Sequence, residues 1–244
     1  MSASTYIRYE LIRNFRTRRF FVFTVGFPLV LYLLIATPNR HEHDLGGTGI
    51  SAPLYFMVGL AALGTMNAVI GVGARIAIER FLEWTRQLRL TPLSARAYIG
   101  TKVAAAYLTA LVTVVALYAA GISLGVSLSP AKWLQMTALL LVGLLPFAAL
   151  GIMLGHLVAV EAIGPTVGGL GALLGFLGGV WFPLGDGVMH DIAQALPSFW
   201  LVQASHVSLG GSGWGVTGWL VVAGWTTALT LLAARAYRRD TSRA

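Results

Sequence analysis

"ERFLEWTRQLRLTPLSARAYIGTK" (residues 79–102) holds seven of the chain's 26 charged residues: Glu79, Arg80, Glu83, Arg86, Arg89, Arg96 and Lys102. The residues on both sides, 52–74 and 103–121, are almost continuously apolar. Two such runs around one polar stretch read as two membrane spans joined by a connection in water, and the rest of the fold follows by extending that pattern in both directions.

Composition supports the pattern. Hydrophobic residues make up 57% of the 244, charged residues 11%, and the mean hydropathy is +0.75. Soluble domains carry roughly 25% charge, so the solvent of this chain is lipid. A formal charge of +8 invites a nucleic-acid reading. No recognition motif or continuous basic helix accompanies it, and basic loops beside spans account for it, so no nucleic-acid partner is expected. Without cysteine there are no disulfides or thiolate metal sites, and the redox compartment is not readable. Arg outnumbers Lys 15 to 2 among abundant Ala and Gly, as in GC-rich bacterial genomes. Five arginines precede the first apolar run and no small-residue cleavage site follows it, so a cleavable signal is not expected.

Six stretches suit a bilayer core about 30 Å thick, which takes roughly 20 helical residues: 20–37, 52–74, 98–121, 134–155, 163–184 and 214–234. They are continuously apolar rather than alternating, which excludes a barrel. Pro28 and Pro146 fall inside the first and fourth, where kinks are tolerable because neighbouring helices satisfy freed backbone groups. The expected fold is an all-α membrane protein, a single transmembrane domain over residues 1–244. Lys and Arg in the connections fall fifteen on one side and two on the other. The positive-inside rule therefore places both termini and residues 79–102 in the cytoplasm of a bacterial plasma membrane. The first loop and the segment 184–213 are then external.

In "STYIRYELIRNFRTRR" (4–19), Ile7, Leu11 and Phe15 recur at helical spacing among Arg8, Arg13, Arg16 and Arg18, predicting an interfacial helix over 5–19 that lies on anionic lipid headgroups. In the opening stretch Ile78, Phe81, Leu82 and Leu88 share one helical face, with Glu79, Arg80, Glu83, Arg86 and Gln87 on the other. Arg80 with Glu83, and Glu83 with Arg86, are spaced to pair. Pro92 stops the helix near Thr91. The residues leave two readings open: a helix seated in a groove on another protein, or one lying on the membrane.

The order of basic interfacial helix, span, external loop, span, then E-R, a short spacer, L-x-x-T-P-L-S, a tyrosine and G-x-K, and four more spans resembles the membrane (permease) subunit of ABC-2-type transporters. Glu79, Arg80, Leu88, Thr91, Pro92, Leu93, Ser94, Tyr98, Gly100 and Lys102 carry the match. Glu83 departs from it, since family members commonly have Gly there. The resemblance implies that segment 76–96 is the coupling helix through which a cytosolic ATPase moves the spans. Its contact residues would be Glu79, Arg80, Phe81, Leu82, Glu83, Arg86, Leu88, Thr91 and Pro92. It also implies two copies of that ABC ATPase and a second permease subunit, identical or homologous. A P-loop requires G-x-x-x-x-G-K-[ST], which this chain lacks. The chain is therefore expected to be no enzyme and to hold no cofactor, ATP and Mg being bound by the partner.

Residues 164–187, "GPTVGGLGALLGFLGGVWFPLGDG", contain Gly164-x3-Gly168, Gly171-x3-Gly175 and Gly175-x3-Gly179, a face for close helix approach within one subunit or between two. The following "GVMHDIAQALPSFWLVQASHVSL" (187–209) resembles the family's external re-entrant pair, hinged near Pro197 with Phe199 and Trp200 at headgroup depth.

Three other features have plainer explanations. Gly210-x-Ser212-Gly213 matches the G-x-S-G of rhomboid proteases, but no histidine follows to activate the serine, which favours a loop. His41–Asp44, "HEHD", reads as a solvated external cluster rather than a metal site. Glu161 sits at a span boundary, where a helix contact is the expectation over a proton-sensitive gate. No charge falls near a span midplane, so a bare ion is a poor substrate. Tyr32, Asn67, Thr109, Thr113 and Thr166 are candidate path residues, and the expected function is export of a drug, antibiotic, peptide or other amphipathic molecule. The alternatives are export of a lipid-linked glycan and a non-pumping scaffold or immunity protein.

Overall fold

A run of 20 or more apolar residues in lipid satisfies its backbone only as a helix, and the computed structural model is helical with no strand among the residues it describes, 21–82, 95–210 and 213–241. The helices are α1 (Val22–Ala36, its opening turn Val22–Gly26 π-helical), α2 (Ala52–Phe81), α3 (Ala95–Ser123), α4 (Pro130–Gly143), α5 (Leu145–Leu157), α6 (Val160–Leu177), α7 (Val188–Gln194), α8 (Pro197–Gln203) and α9 (Val216–Thr241).

Five segments are long and apolar enough to cross a membrane: α2, α3, α4 with α5 together, α6 and α9. The first expected span appears as α1, whose 15 described residues rise only about 22 Å at 1.5 Å each. The interfacial helix expected over 5–19 lies outside the described residues. The second and last spans, α2 and α9, run several residues past their expected ends, whereas the third and fourth end within two residues of theirs.

Span five differs more. It was expected over 163–184 but ends at Leu177. Gly179 stands at φ 75° and donates its N–H to Phe176 O at 3.1 Å, while Val180 N–H reaches Gly175 O at 3.1 Å. This is the Schellman arrangement, which needs a left-handed residue that glycine supplies without strain. Gly125, at φ 91°, closes α3 in the same way. At Leu144 the fourth span breaks into α4 and α5, since Pro146 removes one helical donor and crowds the preceding turn.

The core is built around α2. Fifteen consecutive residues, Ala52 through Met66, are buried, so the helix is enclosed on every side. α2 packs on α1, α3, α5 and α6, and α5 in turn packs on α9. The α2–α5 approach is backbone to backbone: a Cβ on Gly73 would fall 2.5 Å from the Gly151 carbonyl carbon, and one on Gly155 would fall 2.6 Å from Gly73 O. Gly151-x3-Gly155 is thus the small-residue face of this contact.

Part of the glycine face of α6 is used within the subunit. A Cβ on Gly171 would meet the Asn67 amide and one on Gly175 would come 2.8 Å from Leu63 Cδ1, whereas Gly164 and Gly168 face open space.

The segment after α6 forms two short helices, α7 and α8, bent at Leu196–Pro197. Phe199 and Trp200 are buried within the chain, at 4% and 8% exposure. The bend turns α8 inward against α2, α4 and α9, and Gly218 lets the Trp200 ring lie on the α9 backbone. Indole N–H groups then tie the region together, Trp200 to Gln194 O at 2.9 Å, Trp214 to Trp200 O at 2.6 Å and Trp225 to Ala195 O at 2.8 Å.

Candidate functional site

The opening stretch emerges at one end of the bundle, where α2 stops and α3 starts. α2 stays helical to Phe81, so residues 76–81 belong to the end of a span and not to a separate loop helix. Successive residues on that last turn point about 100° apart, which separates Glu79, Arg80 and Phe81.

Glu79 points inward and is 4% exposed, where the sequence pattern had placed it on a polar rim. Its Oε1 accepts from Lys102 Nζ at 2.5 Å, and its Oε2 accepts from the Tyr98 hydroxyl. Tyr98 and Lys102 are four residues apart on α3 and so lie on one face, with the Lys102 ammonium 5.5 Å from the Tyr98 ring centroid. Both carboxylate oxygens are occupied, the condition under which a buried charge is tolerable.

Arg80 turns toward α5 and donates from Nη1 to Gly155 O at 3.2 Å and His156 O at 2.9 Å. Those are carbonyls of the last α5 turn, which lack helical partners and carry partial negative charge. The His156 ring meets Tyr237 of α9 edge-on, centroids 5.4 Å apart. Two adjacent residues therefore fasten α2 to α3 and α5, and His156 continues the chain of contacts to α9.

Phe81 and Leu82 behave oppositely. They are 67% and 63% exposed at the tip of α2, with Ile78 at 40% on the preceding turn. Glu83, Arg86, Leu88, Thr91 and Pro92 lie outside the described residues.

Within one chain the five candidate path residues differ in burial. Tyr32, Thr109 and Thr113 are buried, at 0%, 2% and 0% exposure, and both threonine hydroxyls donate to carbonyls four residues back. Asn67 and Thr166 are half-buried, and Asn67 abuts Gly171 with its Oδ1 unbonded among the described residues.

The remaining sequence features have structural accounts. Asp44 Oδ1 accepts from Gly49 N–H at 2.7 Å and Arg40 donates to His41 at 3.0 Å, so the His41–Asp44 cluster organises its own loop. No group of three metal-ligating side chains occurs among the described residues. Glu161 is exposed in the first turn of α6, where a negative charge complements the helix dipole. Ser212 lies outside the described residues.

Comparison with known proteins fits this arrangement of spans and connections. The sequence matches the ABC-2 type transporter family over residues 2–209, most of the chain. The chain belongs to that family. This ABC-2 protein is also similar to "Putative transport permease YvfS" of Bacillus subtilis (strain 168), 25% identical over 195 residues that cover 78% of each chain. It is a multi-pass membrane permease subunit, of a family that works with ABC ATPases.

The sequence pattern singles out Glu79, Arg80, Tyr98 and Lys102 but does not show which of them meet. Glu79 and Lys102 stand 23 positions apart, and only the register between α2 and α3 brings them together. The Gly151-x3-Gly155 spacing is the sequence signal for the close approach of α5.

Proposed function

We propose that this permease forms the membrane path of an ATP-driven exporter, a pair of permease subunits joined to two cytosolic ABC ATPases that bind the ATP and Mg. Its cargo is an amphipathic molecule such as a drug, antibiotic or peptide. The observation that carries the reading is the contrast at the tip of α2: Glu79 and Arg80 are fastened inward while Phe81 and Leu82 stand exposed. Exposed large apolar side chains at a helix tip can serve as the anchors an interface needs. In the orientation given by the basic connections, this tip and segment 83–94 lie in the cytoplasm, where the ATPase would seat them.

Truncating an anchor in a packed groove costs about 2 kcal/mol or more, while a rim side chain costs less than about 1. Leu82→Ala is therefore expected to reduce copurification with the ATPase sharply, and Gln87→Ala is expected to change it little. Equal recovery of the ATPase with Leu82→Ala, Phe81→Ala and wild type overturns the docking site.

A further inference from the structure

Glu79 and Lys102 are the two ends of the opening stretch, and they are bonded to each other. We propose that the Glu79–Tyr98–Lys102 cluster, with Arg80 bound to the last carbonyls of α5, locks the ends of α2 and α3 into one rigid footing for segment 83–94, making Glu79 and Lys102 positioning residues for energy coupling. This rests on the coupling reading above and changes the role of Glu79 within it, from a contact with the ATPase to an internal fastening.

The chemistry favours that role over simple stabilisation. Side-chain exposures of 1% for Lys102 and 5% for Glu79 mean that both charges are desolvated. Such a pair typically returns little net stability compared with apolar residues of the same volume, and its best-attested use is to fix register. Here the register is tightly specified, because one carboxylate must meet two donors a helical turn apart on α3. A segment joined to two independent helix ends loses a push as splaying between them. Joined to two locked ends, it moves α2 and α3 together, and Arg80 carries the displacement to α5.

The absence of cysteine allows spin labels to be placed at will. Ile78→Cys on α2 and Gly100→Cys on α3 are suitable, since Ile78 is exposed and a side chain at Gly100 meets nothing within 4 Å. The test variant is Glu79→Gln with Lys102→Met, which removes both charges and leaves neither buried alone. It is expected to reach the membrane and to copurify with the ATPase as wild type does. It should also broaden the 78–100 distance distribution and lower permease-dependent ATP hydrolysis roughly fivefold or more.

The reversed pair, Glu79→Lys with Lys102→Glu, is expected to restore a narrow distance and hydrolysis; failure to restore them overturns the proposal, also where the neutral pair does not insert. Wild-type hydrolysis with an unchanged narrow distance in the neutral pair overturns it as well. Loss of ATPase binding by Glu79→Gln alone returns Glu79 to the subunit contact and refutes the fastening role. The distance is measured in the permease itself, so a wild-type permease that binds no ATPase counts against the coupling reading and leaves the distance result to judge the locked footing.

Discussion

Gly73 and Gly155 set how close α2 and α5 come, and they do it by lacking a side chain. Replacing Gly155 with Val places atoms where Gly73 O and Ile76 Cβ already lie. Overpacking of this kind costs about 1–3 kcal/mol, so the variant should lower the thermal midpoint of the purified permease. α6 offers an internal control. Gly175→Leu should also destabilise, because Leu63 occupies that space, whereas Gly168→Leu should leave the midpoint of the isolated subunit unchanged. A selective effect of Gly168→Leu on the dimer would mark the open part of the glycine face as the contact between copies; equal effects at 168 and 175 would refute the division of that face. The residue types of these contacts were legible in the sequence, since small residues four apart announce a close approach. Which helix approaches was not, because that depends on the crossing of spans remote in sequence.

At the scale of elements, helix existence was legible and helix ends were not. Continuous apolar runs leave a chain in lipid no alternative to helices. Their termini depend on short-range backbone chemistry that hydropathy does not register: the Gly178–Gly179 turn stopped α6 before the apolar residues Val180 to Leu184, and α2 carried its helix through charged Glu79 and Arg80 because both found partners. The inward turn of α8 was hidden for a related reason. Nothing in a proline followed by aromatic residues announces that Gly218, 18 positions on, receives the Trp200 ring. Gly218→Val should therefore displace the α8 insertion and raise the accessibility of Trp200 to an aqueous fluorescence quencher; a quenching profile like that of wild type contradicts this packing.

The whole molecule is a bundle whose helices are fastened at one end by polar contacts, beside an exposed apolar tip. By the charge of the connections, that end is expected to face the cytoplasm and the loop containing Gly47 to face outward. In intact cells, a single cysteine at Gly47 should react with an impermeant thiol reagent and one at Leu82 should not. Seating of the tip in the ATPase is read by adding the partner. With a photoactivatable crosslinker on Leu82→Cys in membranes containing the permease and its ABC ATPase, a covalent permease–ATPase product is expected, absent when the same label sits at Gly47→Cys. A product from Gly47→Cys with none from Leu82→Cys would contradict both the orientation and the coupling role of the tip of α2.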